Sequence, residues 1–370
     1  MSESPIKSYI DELERRIREF QDVKVRCGLI GTSGSGKSSL INAIAGEKIA
    51  PVGILETTNE PQEFLHGGLM FVDLPGCGTP SWPRETYLSK LQLDSYDCFI
   101  LVTAERFRDD DLFLYRELTC RGLACFVVHN KFDSAIADGA HDNSLPEKEV
   151  RANILQNITV NLAPESPDRI YLVSARHPTR YDLAALQEDI EKKLEGIKRS
   201  RFVADMGAYG SATLRAKRAV SEERVVLYSA LSAANGLNPL PGLDISVDAG
   251  ILLKMGQEVA HIYGLTGTQI DFIKRFLGPD AIPLLLAKIA QFISKYLAQE
   301  GIIFLLKQMG QKVGAKSAAR WIPLVGPVIA TSIGFAATKA LGDQLVHEAE
   351  KLTEEILDGM RDSIHVGTHE

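Results

Sequence analysis

The stretch Gly31–Ser38 reads G-T-S-G-S-G-K-S and matches the phosphate-binding loop G-x-x-x-x-G-K-S. Residues 25–30 before it are apolar and predict a buried strand, and the apolar residues after it recur on one face of a helix. Glycines let the backbone curl so that N–H groups face phosphate oxygens, and the helix adds the positive end of its dipole. Lys37 would reach the β- and γ-phosphates and Ser38 would bind Mg²⁺. The predicted phosphate-contacting positions are Gly31, Ser33, Gly34, Ser35, Gly36, Lys37, Ser38 and Ser39.

A second motif, D-x-x-G, runs from Asp73 to Gly76. It ends a predicted hairpin whose strands, residues 62–66 and 69–72, flank a Gly67-Gly68 turn. Asp73 would hold Mg²⁺ through water, and the Gly76 N–H would face the γ-phosphate. The D-x-x-G follows the phosphate loop at the end of a buried strand, and this context makes a short motif specific.

A third motif, N-K-x-D, covers Asn130, Lys131 and Asp133 at the end of a predicted strand at residues 124–129. The Asp133 carboxylate can accept hydrogen bonds from guanine N1–H and N2–H₂. Adenine offers no such pair of donors, so a buried carboxylate would be left unpaired by ATP. Asn130 would tie this loop to the phosphate loop, and the Lys131 stem would lie on the base. The motif therefore predicts GTP and GDP as ligands.

Strands and helices alternate up to about residue 195, which predicts an α/β fold with a mostly parallel sheet covered on both faces. Another apolar strand is predicted at residues 98–103. The last strand, residues 169–173, ends in Ser174, Ala175 and Arg176. This tripeptide matches the S-A-K-type element whose N–H groups meet guanine O6, although the tripeptide alone is a weak signal. A helix at residues 182–194 would close the domain.

Beyond residue 200 the strand signals stop and helical periodicity continues. The predicted helical stretches are residues 201–235, 245–264, 268–277, 281–312 and 328–360. We therefore predict three parts: an N-terminal helix (1–22) that packs on the helical domain, a GTPase domain (23–196), and an all-α C-terminal helical domain (197–370).

Two apolar elbows share a P-L-x-G core, at residues 239–242 and 323–326. Residues 321–338 contain no charged side chain, but this barely reaches the length of a bilayer span and prolines interrupt it. We interpret it as a buried or interfacial hairpin. Whether Leu240 and Leu324 bind a membrane or belong to a core stays open at this point.

Charge and cysteine content exclude some classes of protein. Residues 201–370 carry 17 Lys and Arg against 17 Asp and Glu, so the net charge of −7 falls entirely in residues 1–200. Neither half is a basic nucleic-acid module, and we expect no nucleic-acid partner. The five cysteines include no C-x-x-C pair, and three lie in apolar strand-like runs. This pattern favours free thiols in a reducing cytosol.

Taken as a set, these motifs resemble the immunity-related GTPases, relatives of the dynamin-type large GTPases. The resemblance covers roughly residues 24–195 and is specific as a set, whereas the helical half matches less sharply and is also similar to helical domains behind bacterial Era-like GTPases. The matching stretches are Gly31–Asn42, Gly53–Thr58, Asp73–Gly76, Thr86–Leu88 and Tyr96–Ile100.

The resemblance implies GTP hydrolysis, a homodimer or oligomer formed through the GTPase domains in the presence of GTP, and action on or near membrane lipid. It implies that Glu56, in the first switch segment, acts in catalysis across the dimer, and that Thr58 binds Mg²⁺. Two positions separate subsets of the family: residue 2 is Ser, not the myristoylation Gly, and Lys37 is the effector-type lysine.

Cys77 occupies the position where small signalling GTPases place a water-orienting Gln. A thiol orients water poorly, so we expect slow intrinsic hydrolysis that self-association accelerates, with Lys37, Glu56 and Thr58 as the catalytic residues. The favoured function is a dynamin-like GTPase that assembles on membranes, cytoplasmic or peripheral to a membrane. The alternatives are an Era-like GTPase in ribosome or RNA processes and a GTP-controlled scaffold.

Overall fold

The computed structural model describes residues 5–52, 60–105, 107–165, 167–236, 244–309 and 333–366. The chain forms two compact units. The sheet unit comprises Lys24–Thr213 with Asp271–Ile273. The helical unit comprises Met1–Val23, Leu214–Ile270 and Lys274–Glu370.

The sheet unit contains a six-stranded sheet, formed by described residues in the order β2-β3-β1-β4-β5-β6. Only the β2–β3 pair is antiparallel, and the other neighbours are parallel. The predicted mostly parallel α/β sheet is therefore confirmed. The strands are β1 (Val25–Ile30), β2 (Gln62–His66), β3 (Leu69–Asp73), β4 (Cys98–Thr103), β5 (Cys125–His129) and β6 (Ile170–Leu172).

Helices follow most strands of this unit, because parallel neighbours need crossover connections. Strand β4 is buried along its whole length, in keeping with the apolar run Cys98–Val102. Five carboxyl ends, those of β1, β3, β4, β5 and β6, meet at one edge of the sheet, where open α/β folds bind ligands. The helices are α2 (Lys37–Ala45), α3 (Arg84–Lys90), α4 (Asp109–Cys120), α5 (Phe132–Asn143), α6 (Glu147–Leu162), α7 (Leu183–Lys193) and α8 (Gly196–Asp205).

The boundary between the units follows Thr213, later in the chain than the predicted residue 196. Helix α8 packs on the sheet unit through a buried carboxylate. The Asp205 Oδ2 atom accepts the Gly68 N–H at 2.5 Å, at the turn between β2 and β3. A buried carboxylate requires partners, and the hairpin turn supplies one, while Arg201 of the same helix pairs with it at 2.7 Å. The chain therefore leaves the sheet unit only after α8 and the loop that follows it.

The helical unit is all α in its described residues, and it includes the N-terminal helix. Ile10, Leu13, Ile17 and Phe20 form the buried stripe of that helix. The Arg224 guanidinium stacks over the Phe20 ring at 4.2 Å. The helices are α1 (Pro5–Asp22), α9 (Ser211–Gly236), α10 (Asp244–Ile262), α11 (Gly267–Ile273), α12 (Ala281–Tyr296), α13 (Gln299–Met309) and α14 (Ile333–Val366); the first three residues of α9 and the last three of α11 count with the sheet unit.

Two predicted helical stretches are interrupted. The stretch 201–235 breaks after α8, where the Gly207 N–H donates to the Ile44 carbonyl at 2.8 Å. The stretch 281–312 breaks between α12 and α13, which meet at 66°. At that bend a Cβ on Gly301 would lie 2.2 Å from the Ser294 carbonyl oxygen, so glycine permits the close approach.

No single helix among the described residues is long and apolar enough to cross a bilayer. The bent pair α12–α13, over Ala281–Tyr296 and Gln299–Leu305, reaches that length and composition only when its two helices are taken together. The P-L-x-G elbows, with Leu240 and Leu324, lie outside the described residues.

Candidate functional site

The phosphate loop joins β1 to α2 and is built on three glycines with positive φ. Gly31, Gly34 and Gly36 have φ values of 137°, 83° and 85°. A Cβ on Gly31 would lie 2.1 Å from the Val102 carbonyl oxygen, and one on Gly36 would lie 2.4 Å from Asn130 Nδ2. Since no other residue fits at Gly31 or Gly36, the loop can curl closely around the start of α2. Its N–H groups and the free N–H groups of the first helical turn form an anion site.

Lys37 and Ser38 open α2 and lie beside the end of β3. The Lys37 Nζ atom donates to the Gly31 carbonyl at 3.1 Å and lies 3.6 Å from Asp73 Oδ1. The Ser38 hydroxyl donates to Asp73 Oδ2 at 3.4 Å. A buried ammonium, a hydroxyl and a carboxylate therefore converge at the mouth of the phosphate loop.

These oxygens fit Mg²⁺, which prefers hydroxyl, carboxylate and phosphate ligands. Among the described residues, no group of three or more His, Cys, Asp or Glu side chains could hold a metal ion. A cation beside Ser38 and Asp73 would gain phosphate oxygens as further ligands, as is usual for Mg²⁺ at nucleotide sites. The predicted third metal ligand, Thr58, and the predicted catalytic Glu56 lie outside the described residues.

The N-K-x-D loop follows β5 and contacts the phosphate loop directly. The Asn130 amide donates to the carbonyls of Ser35 and Gly36 at 3.1 and 3.2 Å. Lys131 adopts a left-handed conformation, with φ 58°, at the start of α5. Within the described part of the chain, the buried Asp133 Oδ1 atom has no hydrogen-bond partner. A buried carboxylate oxygen of this kind calls for a ligand that donates to it.

The S-A-R loop follows β6 and faces the same place. The Ser174 hydroxyl accepts hydrogen bonds from the N–H groups of Arg176 and His177, both at 3.2 Å. The Ala175 N–H donates to Asn130 Oδ1 at 3.3 Å. Burial lowers the pKa of His177, and the nearby Asp133 charge opposes that effect. The Asp133 charge therefore acts on the His177 ring across this end of the site.

One cavity of about 950 Å³ collects these groups at the edge of the sheet. Two of the predicted residues, Gly31 and Ser35, do not line it: Ser35 is buried, and the Gly31 carbonyl accepts a hydrogen bond from Lys37. The predicted site residues that line the cavity are Ser33, Gly34, Gly36, Lys37, Ser38, Ser39, Asp73, Gly76, Asn130, Lys131, Asp133, Ser174, Ala175 and Arg176.

Two further charged side chains, Arg108 and Asp110, line this cavity. The sequence motifs did not identify them. They lie where α4 begins, in the connection that follows the carboxyl end of β4. Their position was the one sequence signal that could have identified these two residues, because ligand-contacting residues of open α/β sheets follow the carboxyl ends of strands. No motif marks this connection, so the sequence patterns passed over it.

Cys77 lines the cavity directly after Gly76 and is partly buried. Burial raises the pKa of its thiol to about 11, and the Asp110 charge acts in the same direction. The thiol is therefore protonated at neutral pH. A neutral thiol is a weak hydrogen-bonding group, and it cannot act as a base on water.

Known proteins share sequence similarity with most of this chain. The family profile described as Interferon-inducible GTPase (IIGP) matches residues 1–283. Interferon-inducible GTPase 5 from Rattus norvegicus is 28% identical over 346 residues, which cover 88% of this chain and 74% of that one. Interferon-inducible GTPase 1 from Mus musculus is 28% identical over 275 residues, which cover 70% of this chain and 66% of that one.

Solved structures share a weaker likeness. The Era protein of Aquifex aeolicus bound to GDP and aluminium fluoride has 20% identity and a TM-score of 0.37, covering 57% of this chain and 68% of that one. A probable GTP-binding protein engB has 18% identity and a TM-score of 0.33, covering 46% of this chain and 98% of that one.

Proposed function

Because the chain belongs to the interferon-inducible GTPase family and is therefore a GTP-binding GTPase, we propose that it hydrolyses GTP fastest as a homodimer joined through its sheet unit. The relatives are named as GTPases, and residues of all three nucleotide motifs line one cavity. The dimer, the membrane and the roles of single residues are our proposals.

The nucleotide would lie with its phosphates on the loop before α2 and its base on the N-K-x-D loop. The N–H groups of the phosphate loop, together with those of Ser38 and Ser39, would bind the phosphates, and Lys37 would neutralise the β/γ oxygens. Asp133 Oδ1, which is buried without a partner among the described residues, would accept from guanine. Mg²⁺, held by Ser38, Thr58 and Asp73, would supply charge neutralisation of the phosphates when bound.

The dimer proposal rests on Cys77. It follows Gly76 at the cavity wall, where signalling GTPases carry a water-orienting Gln. With a protonated thiol there, the isolated sheet unit lacks the usual side chain for accelerating hydrolysis. A group from a second chain would supply what is missing, and the family resemblance favours Glu56 for that role.

We also propose that the protein is cytoplasmic and binds membranes peripherally. The bent pair α12–α13 leaves Leu284 and Phe304 62% and 64% exposed. The two lysines of α12, Lys288 and Lys295, form ion pairs with carboxylates of α14 at 2.6 Å each. The helix pair therefore exposes large apolar side chains, and the two lysines of α12 are already paired with carboxylates of α14. Exposed apolar side chains of this kind support contact with an apolar surface such as a membrane.

One experiment tests these proposals together: the specific GTPase activity measured as a function of protein concentration, alone, with liposomes and with RNA. A dimer-activated enzyme shows specific activity that rises with concentration, and liposomes raise it further by concentrating the protein. A constant specific activity contradicts the dimer. Stimulation by RNA alone supports the Era-like alternative. Partner recruitment without concentration-dependent hydrolysis supports the scaffold alternative.

A further inference from the structure

We propose that Asp110 is a further catalytic residue, whose carboxylate orients the water that attacks the γ-phosphate from within the same chain. The proposal rests on GTP hydrolysis at the cavity of the sheet unit. It goes beyond the dimer proposal because it accounts for the activity of a single chain, in which Cys77 cannot orient water.

Three consecutive aspartates begin α4, and they have three different surroundings. The Asp111 carboxylate is buried and accepts the Arg108 N–H at 3.0 Å, so it caps the helix. Asp109 is exposed and lines a separate cavity of about 900 Å³. Asp110 alone of the three lines the nucleotide cavity, together with Lys37 and Gly76. Asp110 therefore combines a carboxylate with access to the phosphate end of the site.

The segment after Gly76 makes room for this carboxylate. Gly78 has a φ of 79°, and a Cβ built on it would lie 2.7 Å from Asp110 Oδ2. Any side chain at position 78 would therefore press on the Asp110 carboxylate, so glycine leaves room for that carboxylate against the residue that follows Cys77. The Asp110 charge also acts on the Cys77 thiol, whose pKa burial and that charge together raise. Asp110 thus faces the position at which a signalling GTPase carries its water-orienting Gln.

The first turn of α4 is also within electrostatic range of the phosphate loop. Burial raises the pKa of Asp111 to about 6, and the Lys37 charge is among the influences that oppose this rise. Lys37 is the residue proposed to hold the β/γ-phosphates. Asp110, one residue earlier, lines the same cavity as Lys37 and Gly76, which are the residues expected to contact the terminal phosphate.

The step that Asp110 would assist is a balanced hydrolysis. The water oxygen forms a bond to the γ-phosphorus as the bond from that phosphorus to the β,γ-bridging oxygen breaks. The bridging oxygen keeps the electron pair and leaves as part of GDP. One water proton stays on the inorganic phosphate. The other passes to the Asp110 carboxylate, which releases it to solvent. General-base assistance of this kind typically contributes about 10²–10⁴-fold to a rate.

The test is single-turnover hydrolysis by the full chain at the lowest workable protein concentration. We expect Asp110→Asn to slow the reaction roughly 100-fold while leaving the affinity for a non-hydrolysable GTP analogue and the thermal denaturation midpoint unchanged. Asp109→Asn is the matched control, because it removes the same charge one residue earlier on α4 but outside the nucleotide cavity. It should behave as the unmodified protein.

Chemical rescue separates catalysis from structure. Added formate should restore part of the rate of Asp110→Ala, because a small carboxylate can occupy the vacated space, and it should not accelerate Asp109→Ala. An Asp110→Asn variant as fast as the unmodified protein, or an Asp110→Ala variant that formate does not rescue, overturns the proposal. A failure of the dimer proposal is a different result, since it appears as a specific activity of the unmodified protein that does not depend on its concentration.

Discussion

The side-chain amide of Asn130 donates to the main-chain carbonyl of Ser35 at 3.1 Å, and this contact joins the N-K-x-D loop to the phosphate loop. The same side chain accepts the Ala175 N–H through Oδ1, at 3.3 Å. Asn130 is buried, so breaking either contact would leave a polar group without a partner. One side chain therefore holds three loops, from the ends of β1, β5 and β6, in a single arrangement around the cavity.

This arrangement leads to a prediction about nucleotide choice. Asp133→Asn should shift the preference from GTP toward XTP, because the carbonyl oxygen at C2 of xanthine can accept from the new amide, whereas guanine presents an amino donor there. We expect a change in relative affinity of roughly 100-fold or more, as is typical when a buried polar group is mismatched. Competition between GTP and XTP for a fluorescent nucleotide measures it. A variant that still prefers GTP shows that the Asn130–Asp133 loop does not select the base.

A second prediction concerns the segment after Gly76. The Trp82 ring packs edge-on against Tyr87, with ring centroids 5.7 Å apart, and Lys90 Nζ lies 5.2 Å from it. In a Trp321→Phe background, a GTP analogue should change the Trp82 fluorescence more than GDP does, because the γ-phosphate would attract the Gly76 N–H. Trp82→Phe with Trp321 intact is the control. Equal spectra in both nucleotide states argue against this coupling.

A third prediction tests activation across the dimer. Glu56→Ala should retain nucleotide affinity and lose the rise of specific activity with protein concentration. The proposed reason is that Glu56 lies two residues before the Mg²⁺ threonine, Thr58, and would face a second sheet unit once the switch segment closes on GTP. The measurement is GTPase rate over a concentration series, with analytical ultracentrifugation in GDP and in a GTP analogue. If the specific activity of Glu56→Ala still rises with protein concentration as in the unmodified protein, Glu56 does not activate hydrolysis across the dimer.

A fourth prediction concerns membrane contact by the apolar elbows. Leu240→Asp and Leu324→Asp should each reduce sedimentation with liposomes while the protein stays folded, since each large buried apolar side chain contributes about 1.5–3 kcal/mol. Val160→Asp is a matched control, because Val160 is 68% exposed on α6 of the sheet unit. Circular dichroism reports folding. Variants that unfold indicate that the elbows are core, not a membrane surface.

A fifth prediction follows from the buried Asp111 carboxyl, whose pKa burial raises to about 6. In the unfolded chain this group loses its proton near its ordinary pKa of 3.8, whereas the folded chain keeps the proton up to about pH 6. The folded state therefore binds more protons between these values. The contribution of Asp111 to stability is thus greatest below about pH 4 and is lost as the pH rises through this window.

Asp111→Asn mimics the protonated acid and can still accept the Arg108 N–H. We expect it to raise the free energy of unfolding of the sheet unit by about 2 kcal/mol near neutral pH, with the gain vanishing near pH 4. Urea unfolding at both pH values measures the difference. The exposed Asp109→Asn should change little at either pH. A gain that is equal at both pH values would show that titration of Asp111 is not its cause.

Much of the sheet unit could be predicted from the sequence, because the three nucleotide motifs are local. Each occupies a short loop directly after a strand, and the strands read as apolar runs whose ends the motifs mark. Since the carboxyl ends of parallel strands meet at one edge of a sheet, Lys37, Asp73 and Asp133 were expected to converge, and they line one cavity. For the same reason, the predicted ends of the strands lie close to the observed ones, as in the hairpin over residues 62–66 and 69–73.

Tertiary structure decided the features that depend on contacts between distant segments. Asp110 lies at the cavity because the β4–α4 connection packs against Gly78, and no periodicity or motif encodes that meeting. Helix α8 belongs to the sheet unit because Asp205 finds its hydrogen-bond donor at Gly68, far away in sequence. The sequence by itself determined, through local spacing, which motif residues line the cavity. Only the packing of distant segments determined which other side chains reach the cavity. The reason is that a buried carboxylate needs a partner, and the fold decides which partner lies close to it.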